Sequence, residues 1–242
     1  MEIRLNKYLS EAGICSRREA DRLIESGIVT VDGRRAETGM KITESQIVRV
    51  GKKEIRLRDE MVLLAVNKPV GIVCTEEKRE KNNIINFLKY PERITYIGRL
   101  DKDSEGLLLM TNNGDIINKM MRSGNRHEKE YKVTVNKPIT QEFIEKMAKG
   151  VPILDTVTRE CEVEQIGKYK FRIVLTQGLN RQIRRMCEYL GYKVTALKRV
   201  RVMNIELGNL KPGEYRQVTK REIEELFELI KDSSNETVIP KE

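Results

Sequence analysis

The sequence predicts an α+β chain with a mixed or antiparallel sheet, and three observations carry that prediction. Helix-like and strand-like segments alternate irregularly, without the steady strand–helix rhythm of a parallel α/β fold. Apolar runs are short, as in Val62 to Val66 and Leu107 to Thr111, the length of buried strands. Helix starts carry their own punctuation: Ser16-Arg17-Arg18-Glu19 and Thr219-Lys220-Arg221-Glu222 both have the hydroxyl–x–x–Glu spacing of a capping box.

Leu5, Tyr8, Leu9 and Ala12 recur at helical spacing until Gly13 ends the run. A second helix starts at Ser16, buries Ala20, Leu23 and Ile24, and closes at Gly27. Val29 to Val31 then enters an Asp32-Gly33 turn, a hairpin signal. Ile47 to Val50 is another short strand, and the charged segment Ile55 to Glu60 reads as a linker. The strand Val62 to Val66 stops at Asn67-Lys68-Pro69-Val70-Gly71, where Pro and Gly favour a loop. Strands follow at Thr95 to Gly98 and Leu107 to Thr111, a helix at Asp115 to Met121, and a strand at Tyr131 to Val135. Thr140 to Lys149 is a helix, with strands at Arg159 to Ile166 and Phe171 to Thr176 after it. Asn180 is expected to cap a helix from Arg181 to Leu190, which Gly191 ends. Lys193 to Met203 is extended, and Thr219 to Ile230 is a closing helix. Residues 1–60, 61–232 and 233–242 therefore read as a small domain, a larger one and a flexible polar tail.

Composition removes several kinds of function. The chain has 242 residues with 46 Lys+Arg against 37 Asp+Glu, a net charge of +9, which favours a polyanionic partner. No apolar run is long enough to span a bilayer, and the first residues have no secretory core, so a cytoplasmic protein is expected. The four cysteines lie far apart and read as reduced, buried thiols. A single histidine, His127, leaves no His-based zinc site and no Ser-His or Cys-His nucleophile pair. Chemistry here must use carboxylates, Tyr, Lys, Arg or hydroxyls.

Four groups of residues stand out. Arg17, Arg18 and Arg22 gather around a helix start, pointing to a phosphate site as against a merely solvated surface. The segment Gly98 to Gly106 contains Asp101, Asp103, Ser104 and Glu105 between two apolar strands, a usual setting for catalytic groups. By spacing alone it reads equally well as a solvated acidic turn. Asn180, Arg181, Arg184 and Arg185 open a helix with positive charge, against its dipole, so an anionic ligand or an internal carboxylate would favour the placement. From Arg181 to Arg201 there are seven basic residues and one acid, which makes this the strongest phosphate-binding stretch. Tyr131 alternates with valines and reads either as a core residue or as a platform for a nucleobase.

Together these motifs resemble bacterial ribosomal RNA pseudouridine synthases of the small-subunit-synthase type, and within them the large-subunit synthase F branch. Arg4-Leu5-Asn6-Lys7-Tyr8-Leu9 through Asp32-Gly33 is similar to an alpha-L RNA-binding motif of the S4 type. Asn67-Lys68-Pro69-Val70-Gly71, Gly98-Arg99-Leu100-Asp101, Lys129-Glu130-Tyr131 and Arg181-Gln182-Ile183-Arg184-Arg185-Met186 are similar to catalytic-domain motifs. Gln177-Gly178-Leu179-Asn180 departs from the commoner acidic–Gly–basic pattern in the manner of the F branch. The long basic tail of some F-branch members is absent, which puts extra nonspecific ribosome affinity in doubt.

The resemblance implies an S4-like domain followed by a synthase domain with a central mixed, mainly antiparallel sheet. It makes Asp101 the essential carboxylate, Arg184 its partner and Tyr131 the residue stacking on the target uracil. Ile183 then lines the base pocket and Arg99 helps displace the uridine. Arg17, Arg18, Arg22, Asn180, Arg181 and Arg185 would hold RNA. The implied substrate is a 23S rRNA hairpin near the peptidyl-transferase region, and analogy with the F branch admits a tRNA anticodon loop as a second target. A monomer with no cofactor and no metal is expected. Breaking N1–C1′, turning the uracil and rejoining it through C5 involves no net redox change or hydrolysis. Two rivals remain at this point: a noncatalytic RNA-binding ribosome-assembly factor, and an inverting glycoside hydrolase, which would want two spaced acids and leaves the arginines unexplained.

Overall fold

The computed structural model describes residues 2–57, 60–77, 79–121 and 126–233. The chain forms two compact units. One comprises residues up to Val62 with Tyr90–Thr95 and Thr111–Gly114; the other comprises Leu63–Lys89, Tyr96–Met110 and the described residues from Asp115 onward.

In the first unit, β1 (Ile3–Arg4), α1 (Leu5–Glu11) and α2 (Arg17–Glu25) lead into β2 (Val29–Val31), β3 (Arg34–Arg35), β4 (Lys41–Ile42), β5 (Val48–Val50) and β6 (Lys53–Ile55). Ser16 is the N-cap of α2, its Oγ accepting from the Glu19 N–H at 3.3 Å. Asp32 and Gly33 both have positive φ, 50° and 78°, as a two-residue hairpin turn of the right twist requires. The sheet runs β3-β2-β5-β6. Leu5, Leu9, Ala20, Ile24, Val29 and Val48 close its core from both layers. The expected linker is shorter than its charge suggested. Ile55 belongs to β6, pairs with Val48 and is buried, and its carbonyl accepts from the Tyr8 hydroxyl at 2.9 Å. A three-residue strand is too brief for alternation to reveal.

The second unit begins with β7 (Leu63–Lys68) and α3 (Ile84–Leu88). β8 (Thr95–Ile97), β9 (Glu105–Thr111), α4 (Gly114–Met121), β10 (Lys129–Val135) and α5 (Gln141–Lys149) follow. The short hairpin β11 (Pro152–Ile153) and β12 (Thr156–Val157) precedes β13 (Glu162–Gly167), β14 (Lys170–Leu175) and α6 (Gln182–Tyr189). β15 (Val194–Val202), β16 (Ile205–Glu206), β17 (Tyr215–Gln217) and α7 (Lys220–Leu229) complete it. The central sheet runs β13-β14-β10-β15-β9-β7-β17, with β16 on β15 and β8 on β9. β15 is parallel to β9 but antiparallel to β10, so the sheet is mixed and mostly antiparallel.

Phe143 and Met147 of α5 and Met186 and Cys187 of α6 pack with Val133, Val135, Phe171 and Ile173 of the strands. The Phe143 and Phe171 rings meet edge to face at 5.3 Å. α7 opens with a full capping box between Thr219 and Glu222. β7 runs further than expected, through Asn67 and Lys68, both fully buried, before Pro69 ends it. β13 starts at Glu162, three residues after the expected Arg159. The flexible tail expected over 233–242 lies, from 234 on, outside the described residues.

Candidate active site

The loop between β8 and β9 carries Asp101, and its two ends are held close to the sheet. Gly106 sits where β9 runs beside β15, at φ +108°, and a Cβ there would come within 2.2 Å of the Arg199 carbonyl oxygen. Only glycine lets the strands approach this closely. The Arg199 side chain reaches beneath the loop: its Nε donates to the Leu107 carbonyl at 2.6 Å and its Nη1 to the Arg99 carbonyl at 3.5 Å. Lys102 in the middle of the loop accepts from the Gly71 N–H at 2.7 Å. The turn carrying Gly71 is itself tied down by Lys68, whose ammonium donates to the Pro69 and Ile72 carbonyls at 2.9 and 2.8 Å.

Above this loop lies a cavity of about 520 Å³, within the range that accommodates a small ligand. Asp101, Arg99, Tyr131, Ile183, Arg184, Arg181 and Asn180 all line it, so the structure gathers seven of the sequence candidates in one place. Tyr131 is on β10, half-buried, with its strand partners Ile173 and Arg199 on either side. Ile183 and Leu197 are buried apolar lining. Arg99 is exposed at the rim. Arg185 lies outside the lining and turns back onto Asn180, donating to its carbonyl at 3.0 Å and its Oδ1 at 3.2 Å. Arg17, Arg18 and Arg22 are exposed on α2 of the first unit.

Two expectations are corrected here. Asn180 does not cap α6, because Arg185 occupies its side-chain oxygen. The N-cap position is Arg181, in left-handed conformation at φ 50° with no side-chain cap, and Gln182 reaches back to accept from the Leu179 N–H at 3.1 Å. Nor does Arg184 pair with Asp101. The guanidinium on Asp101 is that of Arg181, at 3.5 Å, and Arg181 also bridges both oxygens of Asp103 at 3.2 and 3.1 Å. Arg184 stands one turn along the helix, where the loop's main chain is within reach. It donates to the Asp103 carbonyl at 2.8 Å and the Ser104 hydroxyl at 3.1 Å, and lies 3.4 Å from the Asp103 carboxylate. Hydrogen bonding to Arg181, then the charge of Arg184, holds the Asp103 carboxyl below the usual carboxylate range.

Sequence reasoning singled out no role for Arg199, and quoted Lys68 and Lys129 only as members of motifs. Lys129 lines the cavity two residues from Tyr131 on the same strand, and its ammonium donates to the His127 carbonyl at 3.2 Å. Burial, and secondarily the Arg199 charge, lowers its pKa to about 8. The period-two alternation that marked Tyr131 would have found it. Arg199 is only 2% exposed, and its Nη2 has no hydrogen-bond partner among the described residues. Among the described residues no group of three or more His, Cys, Asp or Glu side chains is placed to hold a metal ion. No helix among them is long and apolar enough to cross a membrane.

Residues 62–189 match the RNA pseudouridylate synthase family and residues 3–48 match the S4 domain. Over 235 residues the chain is 56% identical to the dual-specificity RNA pseudouridine synthase RluF of Salmonella typhi, covering 96% of this chain and 81% of that protein. It is 32% identical to ribosomal large subunit pseudouridine synthase B of Bacillus subtilis, covering 96% and 98% respectively. A pseudouridylate synthase crystal structure superposes with a TM-score of 0.68 at 28% identity, over 93% of this chain and 99% of that one.

Proposed function

The chain belongs to the RNA pseudouridylate synthase family, with an S4 domain at its N-terminal end, and we propose on that footing which RNAs it modifies and which residues do so. It is an isomerase, and the noncatalytic assembly factor and the glycoside hydrolase drop out. Its substrates are a uridine in a hairpin of 23S rRNA and, by likeness to dual-specificity relatives, a second RNA, a tRNA anticodon loop. It acts in the cytoplasm as a monomer.

The observation that carries this reading is the meeting of Asp101, Tyr131, Arg181 and Arg184 around one cavity. The target base is stacked in its helix and must be extruded, at a cost of a few kcal/mol that RNA contacts offset. Arg99, exposed at the rim, is the residue to fill the gap left behind. Tyr131 offers its ring face to the uracil, while Ile183 and Leu197 exclude water, so the detached ring stays in place. Asp101 is the carboxylate that attacks C1′ or C6, or removes a ribose proton, and all three routes need it ionised. The Arg181 guanidinium stands 3.5 Å from that carboxylate, and Arg184 fixes the main chain just after it. The N1–C1′ bond breaks and the C5–C1′ bond forms; one proton leaves C5 and one joins N1.

Residues 1–60 present Arg17, Arg18 and Arg22 to RNA phosphates, residues 61–232 perform the isomerisation, and Asn180, Arg181 and Arg185 add contacts beside the cavity. The test is tritium release from C5-labelled 23S rRNA fragments and tRNA, with nucleotide-resolution mapping of the product. Asp101→Asn is expected to abolish release while RNA binding persists. Undiminished release by that variant overturns the assignment of Asp101.

A further inference from the structure

The two faces of the strands β14, β10 and β15 are charged very differently. Side chains alternate across a strand, so Glu130 points to the face opposite Lys129 and Tyr131. On the Glu130 face the less exposed charges are ion-paired, while Lys132 and Lys170 stand exposed to solvent. Glu130 meets Arg172 at 3.0 Å and Arg201 at 3.1 Å, and Arg201 continues to Glu128 at 3.0 Å. On the cavity face Lys129 and Arg199 are neighbours with no ion pair recorded for either among the described residues. The Lys129 ammonium has one acceptor, the His127 carbonyl, and two N–H groups to spare. Arg199 adds an unpartnered Nη2 behind it. Two half- or fully buried cations side by side, neither in ion-pair contact with a carboxylate, repel each other and cost stability, so negative charge on a ligand placed against them would be favourable.

We propose that Lys129 is a further catalytic residue, whose ammonium donates to a carbonyl oxygen of the flipped uracil and offsets the negative charge on the ring while it is detached. This rests on the isomerase reading above. When C1′ is attacked, or the ribose proton is removed, the N1–C1′ electron pair leaves with the uracil as a monoanion spread over N1, O2 and O4. C5 then returns the pair to C1′, loses its proton to solvent or a base, and N1 is protonated. Lys129 lies two residues along β10 from Tyr131 on the same face, about 6–7 Å away along the strand. A ring stacked on Tyr131 therefore presents its edge to the ammonium. Turning the ring half a turn about its N3–C6 line exchanges N1 with C5 and O2 with O4. One fixed donor thus meets a carbonyl oxygen both before and after the turn. The buried Arg199 guanidinium adds to the same field without touching the ring. Such fixed donors act most strongly where water is excluded.

The experiment compares wild type, Lys129→Met and Lys129→Arg by single-turnover tritium release and by RNA affinity, across pH 6 to 10. Lys129→Met is expected to slow release on the order of 100-fold with affinity within about twofold of wild type. Lys129→Arg, which keeps the charge, is expected to recover at least about a tenth of the wild-type rate. Wild type should lose activity as pH rises through about 8, and Lys129→Arg should not. The other charged or titratable groups facing Lys129 are His127, Arg199, Asp101, Arg181 and Arg184. Burial keeps His127 below its ordinary value, so it titrates on the acid side. A Lys129→Met rate within threefold of wild type, affinity falling in step with rate, or an alkaline limb that persists in Lys129→Arg overturns the proposal. Wild type releasing no tritium from rRNA or tRNA overturns the substrate reading instead, which separates the two failures.

Discussion

A cation placed for a ligand should weaken the protein that carries it, and Lys129→Met measures by how much. In the folded chain the Lys129 ammonium loses its proton near pH 8, against 10.5 for an ordinary lysine. A folded value below the unfolded one means that the charged form is penalised by folding. The penalty is complete below pH 8, shrinks as pH rises, and is gone above 10.5. By linkage the difference corresponds to about 3 kcal/mol at pH 7 and about 1 kcal/mol at pH 10. Removing the ammonium also removes its bond to the His127 carbonyl, worth about 1 kcal/mol. Lys129→Met should thus be roughly 2 kcal/mol more stable than wild type at pH 7, and that advantage should vanish by pH 10. Urea unfolding of both proteins at pH 7, 8, 9 and 10 reads the difference directly, and other titrating groups cancel in the comparison. A stability difference that stays constant over this range would show that Lys129 is not a penalised cation, and the electrostatic argument would fall with it.

Further outcomes follow from other contacts. Gly106→Ala has to push β9 off the Arg199 carbonyl in a backbone conformation that L residues avoid, and should lose at least about 2 kcal/mol of stability in urea; wild-type stability would show that the two strands are not held at this distance. Arg184→Met releases the Asp103 carbonyl and the Ser104 hydroxyl, and should cut the single-turnover rate by about 100-fold with RNA affinity nearly intact; equal losses in both would make Arg184 a phosphate ligand. Glu222, held to about 2 by Arg216 first and then by Thr219, contributes stability that is present above the ordinary 4.5 and lost as pH falls through 2. Glu222→Ala should cost about 2 kcal/mol at pH 7, allowing for solvent screening, and little at pH 2; a cost independent of pH would refute the pairing. Arg17→Ala with Arg18→Ala should lower the slope of log affinity against log salt by up to about 2 if both meet phosphates, and an unchanged slope would send that surface to another partner.

What the sequence disclosed depended on how local each signal was. The turn at Asp32-Gly33 and the caps at Ser16 and Thr219 are decided by residues within one turn of each other, and the structure has them where they were expected, with the full capping box at Thr219 and the Ser16 half of it at Ser16. Asp101, Tyr131 and Arg184 stood out because each sits in a motif, although nothing local brings three such distant segments together. Arg199 was hidden because its meaning lies in two carbonyls some hundred positions earlier, at Arg99 and Leu107. Lys68 was hidden because a lysine before Pro69 looks like the start of a loop, whereas here it is buried and spends its hydrogens on that loop's carbonyls. Asn180 was misread for the opposite reason. Its cap was a sound local inference, and Arg185 took its side-chain oxygen instead.

The two faces of β10 and β15 separate endurance from chemistry residue by residue. A saturation library over Glu128 to Val133 and Leu197 to Arg201, sorted once for folded yield and once for modified RNA, should return two interleaved sets, with a spacing of two on β10 and an offset on β15 at the irregularity between Arg199 and Arg201. Selection for robustness would work on Glu130 and Arg201 and leave turnover alone, while selection for turnover would touch Lys129 and Tyr131. Since both sets share one backbone, sliding a strand by a single residue would exchange them, which makes the register of this sheet as much a catalytic requirement as any side chain on it.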